Sequence, residues 1–172
     1  MILDGEPGGT RTRDHLIAGY LLSQYEQEME TTKKVLAAVP AGREAWAPDP
    51  PSTPALKLAW HIASAEKWFL DSIAQGRFEA GDSSMPAGIR TGADVAAWYA
   101  ENLPPSLARL KELPGEAFTR EVDFLGMGRA SGLFFLALGL KHSIHHRGQL
   151  SAYIRPMGGK VPGIYGPSGD SA

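Results

Sequence analysis

Three of the five histidines lie in one ten-residue stretch, 141–150. Two of them, His142 and His146, are four positions apart, and residues at this spacing on a helix lie on one face with Cβ atoms roughly 5–6 Å apart. Metal–imidazole bonds are about 2.0–2.1 Å long, so one divalent ion can bridge the pair without bending the helix. The spacing predicts two ligands of a metal site, with a third ligand from elsewhere in the chain.

Composition restricts what such a site can be. The 172 residues suit one domain, and 43% apolar with 21% charged residues is ordinary for a globular protein. Because the chain has no cysteine, any metal must be held by histidine, carboxylate or carbonyl groups, and any thiol chemistry needs a thiol from solution. The formal net charge of −2 argues against nucleic acid or an anionic membrane as the main partner.

The sequence shows no targeting pattern. A basic region followed by an apolar run, as in a signal peptide, is not found near the first residue. The longest apolar run, around 133–140, is too short to cross a bilayer. We expect a cytoplasmic protein that acts on a small molecule.

The first two long helices are predicted from apolar residues at helical spacing. A Gly-rich arm at residues 1–12 comes first, and Asp14 is a candidate N-cap for the helix that follows. A hydroxyl cap at Ser52 or Thr53 and a proline in the first turn predict a second helix, which ends near Ala74.

Two further helices are predicted in the second half of the chain. One is capped by Thr91, and the adjacent prolines 104–105 indicate either a kink or two shorter helices. The other begins at Ser131 or Gly132 and ends near Ile154. Residues 118–126 between them have only a weak pattern, that of an extended segment or a loose hairpin.

Four long helices with almost no strand pattern predict an all-α four-helix bundle with long connections and at least one crossover. Its prolines exclude a helix at residues 160–167, which we expect to form a C-terminal strap over the domain, anchored by Ile164 and Tyr165. The expected domain covers residues 13–167, followed by a short tail at 168–172.

His61 is the candidate third ligand. It lies near the middle of the second predicted helix, on a stripe with Leu58, Ala65 and Trp68, and we expect it to face the core. A flanking apolar set comprises Ile62, Phe69 and Ile73. One histidine on an apolar face is usually a satisfied core residue, but three buried imidazoles without a common partner would be costly to desolvate. A shared ion removes that cost, and three neutral ligands leave an open position, as in catalytic sites.

Three other residues are candidates for supporting the ligands. Gln149, one turn beyond His146, could orient a ligand or a bound water, or could simply join two helices. His145 is offset from the ligand face and is either a supporting or a surface residue, and Glu66 is a candidate outer acid. Arg147 points away from the ligand face and is expected to form a structural salt bridge or a cap.

These residues also carry a resemblance. The run His142-x-x-x-His146-Arg147-Gly148-Gln149-Leu150, followed by 153–156 and 161–167, resembles the C-terminal signature of the DinB/YfiT-like metalloprotein superfamily, and residues 60–66 resemble its second-helix motif. The resemblance implies an up-down-down-up four-helix bundle, often dimeric. It also implies one divalent ion (zinc, nickel or manganese) held by three histidines, which correspond here to His61, His142 and His146.

The resemblance implies two functions. Some relatives are enzymes that use a low-molecular-weight thiol for S-transfer or isomerisation, so the expected activity is metal-dependent activation of a thiol or of water toward a small electrophile. The alternative is a non-catalytic metal-binding protein of the stress response. If the histidines were only core groups, the protein would instead be an interaction module.

The fourth predicted helix is apolar on a second side, which carries Leu133, Leu136, Leu140 and Ile144. A helix that is apolar on two sides is central or shared between subunits, so we expect a homodimer with this helix near the interface. The alternative is that the C-terminal strap covers this second side.

Overall fold

The structure is a computed structural model that describes residues 7–171, with side chains from residue 13 onward. Its helices are α1 (Pro7–Ala37), α2 (Ala55–Gln75), α3 (Gly92–Lys111), α4 (Gly115–Thr119) and α5 (Gly132–Ile154). Strands β1 (Glu121–Asp123) and β2 (Arg129–Ser131) pair antiparallel. The prediction of a mostly helical domain is confirmed, and the weak pattern before α5 corresponds to the short helix α4 and a small hairpin. Over the described residues, no helix is both long and apolar enough to cross a membrane.

The beginning of α1 differs from the prediction. The helix begins at Pro7, where the missing N–H of proline costs nothing because the first N–H groups of a helix have no intrahelical acceptor. Asp14 therefore lies inside α1 and is not its N-cap, and the predicted arm at 1–12 is helical from residue 7. Residues 1–6 of that arm lie outside the described part of the chain.

The ends of α2 and α3 show which capping signals were reliable. Thr91 caps α3 as predicted: its side chain accepts a hydrogen bond from the Asp94 N–H, and the Asp94 carboxylate accepts one from the Thr91 N–H. At α2 the predicted hydroxyl cap is wrong, because Pro54 occupies the N-cap position and no side chain bonds there.

The two prolines at 104–105 lie within a single helix, α3. They deprive the carbonyls of Ala100 and Glu101 of their usual partners, since the acceptor lies four residues before each missing N–H. Both of those residues are exposed, so water can satisfy the two carbonyls. Of the two alternatives predicted here, a kinked helix or two shorter helices, the second is excluded because α3 is continuous.

The second apolar side of α5 is covered within the chain. Leu136 and Leu140 are buried, Leu133 and Ile144 pack against the core, and the Tyr25 hydroxyl of α1 donates to the Leu136 carbonyl at 3.0 Å. The Tyr25 contact shows that α1 contributes to this covering. This side of α5 consequently gives no argument for a dimer.

Close packing at Gly139 brings α5 against α1 and α2, about one turn before His142. A Cβ atom at Gly139 would lie 2.6 Å from the Tyr25 hydroxyl and 2.9 Å from Cγ of Phe69, so any larger residue would push the helices apart. Glycine therefore sets the α2–α5 spacing near the candidate ligands.

The C-terminal strap follows α5 without regular structure. Val161 and Ile164 pack against the core, as predicted for Ile164. Tyr165 is an anchor of a different kind: its side chain is 72% exposed, but its hydroxyl lies 2.6 Å from Nη2 of Arg147 and 3.0 Å from Oε1 of Glu28. Asp170 closes the strap by accepting hydrogen bonds from Arg155 Nε and the Val161 N–H.

Candidate metal centre

The three predicted ligands converge. His61 comes from α2, and His142 and His146 come from successive turns of α5. One ring nitrogen of each lies within 4.8 Å of the others, and Nε2 of His61 is 3.1 Å from Nε2 of His142. The three ring centroids are 4.5–4.9 Å apart. This group of three imidazoles could hold a metal ion.

The protonation state of His61 and His142 is the one that a metal ligand requires. Burial, and then the neighbouring His146 and His61, lower the pKa of His142 to about 4. Burial, followed by His146, also lowers the pKa of His61. Both rings are therefore neutral at pH 7, so a metal ion would not have to displace an additional proton from an imidazolium. Nε2 of His142 faces His61, whereas its Nδ1 is buried without a hydrogen-bond partner in the described structure.

Gln149 contacts a candidate ligand. Its amide nitrogen donates to the Tyr153 hydroxyl at 3.2 Å, and its Oε1 lies 3.0 Å from Nδ1 of His146. With the amide in this orientation, Oε1 accepts from Nδ1–H, which leaves the Nε2 lone pair of His146 free for the site. Of the two roles considered for Gln149, this geometry favours orienting a ligand.

Glu66 does not reach the three histidines. Its carboxylate is buried and accepts hydrogen bonds from the Tyr99 hydroxyl, at 2.9 Å, and from the Ser143 hydroxyl. Burial raises the pKa of Glu66 to about 7, with the two hydroxyl donors and Arg147 opposing that shift. Among the described hydrogen bonds, Glu66 is connected to the ligand-bearing helix α5 through Ser143, the residue after His142. The sequence alone did not identify Ser143 or Tyr99, since neither shows a motif.

The two remaining candidates on α5 differ in environment. His145 is exposed and its ring meets that of His146 edge to face, with centroids 4.9 Å apart. Arg147 is 2% exposed and forms a salt bridge to Glu28 at 2.5 Å, with Thr32 as a further acceptor at 3.1 Å. The expectation of a structural salt bridge at Arg147 is confirmed.

The expectation that His61 faces the core is wrong. His61 is exposed, whereas the set predicted to flank it, Ile62, Phe69 and Ile73, forms the buried face of α2. His61, Ala65 and Trp68 lie on the side of α2 that borders a cavity of about 470 Å³. Both stripes have helical spacing, so only the positions of the neighbouring elements decide which one is buried.

The cavity brings the site into contact with solvent and with aromatic side chains. His61 and His142 contribute to its lining, together with Trp68, Phe69, Phe124 and the loop 80–83. Two of the three candidate ligands therefore border this cavity, and the candidate metal centre is not sealed within the bundle. A small molecule in the cavity would lie next to the histidines.

Comparison with known proteins agrees with this architecture. The DinB family model matches residues 13–171. Two proteins of Bacillus subtilis are similar in sequence: YjoA is 26% identical over 140 residues, covering 80% of this chain and 89% of YjoA, and YrdA is 29% identical over 114 residues, covering 65% and 66%.

Two solved structures share the fold. The DinB-like protein YjoA of B. subtilis superposes with a TM-score of 0.71 at 23% identity, over 87% of this chain and 99% of that one. A DinB-like protein of Bacillus cereus gives a TM-score of 0.71 at 26% identity, over 84% and 95%. With a family match that spans nearly all of the described residues, this chain belongs to the DinB family.

Proposed function

We propose that this DinB-family protein binds one divalent metal ion through His61, His142 and His146 and is a metal-dependent enzyme. It would activate a low-molecular-weight thiol or water for transfer to, or hydrolysis of, a small electrophile. The observation that carries the proposal is the convergence of three imidazoles, two of which line a cavity of about 470 Å³. Three protein ligands on an accessible ion leave a coordination position for a reactant.

In this proposal, one set of residues binds the ion and another set binds the substrate. When bound, a divalent ion lowers the pKa of a thiol or water at its open position and so supplies a nucleophile at neutral pH. Gln149 holds the His146 ring by accepting its Nδ1–H. The aromatic wall of the cavity places the electrophile beside the ligands. Since the chain has no cysteine, the thiol in this scheme is a cosubstrate.

The donor set bears on the choice of ion. Of the candidates zinc, nickel and manganese, the first two suit imidazole ligands, whereas manganese prefers carboxylate, carbonyl and water oxygens. Among the described residues, the converging group contains only histidines. Zinc or nickel is accordingly favoured. The cytoplasm, where thiols are kept reduced, is the proposed location.

A non-catalytic metal-binding stress protein is the second candidate. It is favoured by the placement of the ligands on two different helices, α2 and α5, so that an ion would cross-link the bundle. This function predicts a large loss of thermal stability on chelation and no turnover with any thiol. The enzyme hypothesis predicts turnover, and a loss of thermal stability on chelation would be a secondary effect.

The first test is metal content per chain in protein purified without an affinity tag. We expect about one equivalent in the wild type and loss of the ion in His146→Ala and His61→Ala, because two imidazoles bind a divalent ion far more weakly than three. His145→Ala is the matched control, since His145 is adjacent but exposed. Metal-free wild-type protein would contradict both functions. Unchanged metal content in His61→Ala would contradict the three-ligand assignment.

We further propose the up-down-down-up order of the four long helices. Contacts between the helices support this order. Along α1 and α5 the residue numbers of contacting pairs increase together (Tyr25–Leu136, Thr32–Arg147), as expected for parallel helices. The same holds for α2 and α3 (Glu66–Tyr99, Asp71–Arg109). For α1 and α3 the residue numbers run in opposite directions, since Glu26 pairs with Lys111 and Leu36 adjoins Gly92, as expected for antiparallel helices.

A further inference from the structure

We infer that the reactant held at this site is an aryl compound, whose donor atom takes the open position of the ion while its aromatic ring lies in the cavity beside Ala65. This inference deepens the proposed function and rests on it for the ion. The position of the ring depends only on the cavity wall and can be tested without the ion. The cavity of about 470 Å³ is large enough, since about 150 Å³ suffices for a benzene ring.

A small side chain leaves space next to His61. Ala65 follows His61 by one helical turn and precedes Trp68 by three residues, and all three line the cavity. On this side of α2, Ala65 is therefore the residue between a candidate ligand and the indole ring. A larger side chain at position 65 would occupy that space, so Ala65 limits the size of the group that fits beside His61.

The wall next to this space is aromatic and extends to the candidate ligands. The Trp68 ring meets Phe124 edge to face, with centroids 5.8 Å apart, and the Phe69 ring is 5.7 Å from that of His142. Trp68 and Phe124 are only half-buried and line the cavity, so part of each ring is uncovered. An aryl ring in the cavity can make the offset or edge-to-face contacts that aromatic pairs prefer.

The rings of the wall are held by their neighbours. Phe124 stacks with both Phe69 and Phe135, at centroid distances of 6.4 and 5.4 Å. Nε1 of Trp68 donates to the Glu79 carbonyl at 2.9 Å, which fixes the indole against the loop. Because these side chains are already ordered, a ligand that packs on them loses little affinity to the ordering of the wall.

The α2 side of the cavity offers a ligand apolar surface rather than hydrogen-bond donors. Besides His61, the described side chains of α2 that line the cavity include two donors, Ser64 and Trp68. Both are already bonded, Ser64 Oγ to the Trp60 carbonyl at 2.8 Å and Trp68 Nε1 to the Glu79 carbonyl. The body of the reactant is thus recognised by apolar contact, and its polar contact is with the ion, which accepts a neutral or an anionic donor atom.

Three hydroxamic acids with the same metal-binding group test the inference on metal-bound wild-type protein. Benzohydroxamic acid carries a phenyl ring where acetohydroxamic acid carries a methyl group. Titration calorimetry should show the phenyl compound binding on the order of tenfold to a hundredfold more tightly, as expected for burial of one ring. Cyclohexanecarbohydroxamic acid should bind severalfold more weakly than the phenyl compound, because it lacks the aromatic contacts. Equal affinities of the phenyl and methyl compounds, or of the phenyl and cyclohexyl compounds, would overturn the inference.

Substitution of Ala65 shows where the ring binds. Ala65→Phe should fill the space beside His61 and remove most of the advantage of the phenyl compound, with the affinity of acetohydroxamic acid nearly unchanged. Ala100→Phe, on the exposed side of α3, is the matched control and should keep the full advantage. If Ala65→Phe does not give a helical circular dichroism spectrum, Ala65→Leu replaces it, with partial loss expected. An unchanged preference for the phenyl compound in a folded Ala65 variant overturns the inference.

A metal-free measurement separates this inference from the proposed function. 4-Fluorotoluene has the ring but no metal-binding group, and His146 is not one of the described residues that line the cavity. We expect ¹⁹F line broadening of 4-fluorotoluene by His146→Ala protein and none by the double variant with Ala65→Phe. If the wild type contains no metal, this broadening still supports the ring site while the proposed function is contradicted. Metal binding without a preference for the phenyl compound, or no broadening by His146→Ala, overturns the inference and leaves the metal site standing.

Discussion

At the scale of single residues, the three histidines are supported unequally. His146 donates its Nδ1–H to Gln149, which is itself held by Tyr153. His142 has no such partner in the described structure, since its buried Nδ1 is unbonded. Outer hydrogen bonds fix the tautomer and the orientation of a ligand, so Gln149 is the residue beyond the ligands that should matter most for the affinity of the site.

We therefore predict that Gln149→Leu weakens metal binding about 10–100-fold without abolishing it. The leucine removes the acceptor of His146 Nδ1–H but leaves all three imidazoles. Competition with a chromophoric chelator measures the affinity. His145→Ala is the comparison, since His145 touches the same ring without a hydrogen bond in the described structure, and it should change the affinity little. Equal losses in the two variants would show that Gln149 has no special role.

Glu66 is a second residue with an unusual environment. It is fully buried between Tyr99 and Ser143, and its pKa is raised to about 7 from 4.5. A carboxyl group whose pKa is higher in the folded state binds its proton more tightly there. Its contribution to stability is complete below about pH 4.5 and is lost as the pH rises through about 7.

The expected consequence is that wild type loses stability relative to Glu66→Gln between pH 4.5 and 8, by on the order of 3 kcal/mol. The Gln side chain stays neutral over this range, so the comparison isolates the carboxyl from the histidines, which titrate in both proteins. Urea denaturation at the two pH values, with metal removed from both proteins, gives the difference. A free-energy difference between the variants that is independent of pH would argue that Glu66 is not buried in this way.

At the scale of the elements, one buried cation bonds to groups of both α1 and the C-terminal strap from its position on α5. Arg147 of α5 pairs with Glu28 and Thr32 of α1 and with the Tyr165 hydroxyl of the strap. A charge that is 2% exposed is tolerated because its partners replace water. This network begins one residue after His146 and connects the strap to the helix that carries two of the ligands.

Removal of the cation should therefore lower the free energy of unfolding substantially. We predict that Arg147→Met destabilises the protein by about 3–5 kcal/mol, because it leaves the Glu28 carboxylate without a balancing cation. Tyr165→Phe should cost only about 1 kcal/mol, since Arg147 keeps Glu28. Thermal or urea unfolding provides the values, with the exposed Lys141→Met as control on the same helix. A cost for Arg147→Met no larger than that of the control would contradict the network.

At the scale of the whole molecule, apolar side chains remain exposed on two helices that pack together. They are Leu16, Ile17 and Tyr20 on α1, and Phe134 and Leu138 on α5. With the second side of α5 covered inside the chain, these residues are the new basis for the proposed homodimer. Exposed apolar side chains on neighbouring helices often mark an association surface.

We predict a dimer at micromolar concentration and a shift to monomer in Phe134→Lys, because a charge at this patch would have to be desolvated in the interface. Sedimentation equilibrium measures the mass. Met127→Lys is the matched control, since Met127 is exposed on the hairpin turn and belongs to neither α1 nor α5. A wild-type mass of one chain at all concentrations would rule out the dimer.

The sequence by itself determined features that depend on neighbours within about one turn. The i, i+4 spacing of His142 and His146 places both rings on one side of α5 in any environment, since helical geometry is local. The Thr91 cap and the outward offset of Arg147 from the ligand face follow in the same way. Composition alone excluded cysteine thiolates as donors, because the chain has no cysteine.

Only the tertiary structure decided which side of a helix is buried and which distant residues meet. His61 and Ile62 are both on plausible apolar stripes of α2, and the packing of α3 and α5 on that helix left His61 at the cavity. Glu66 acquired its partners from α3 and α5, more than 30 residues away in each case. Burial and buried hydrogen bonds are properties of neighbours that helical periodicity does not specify, and so the cavity beside the histidines is evident only in the folded chain.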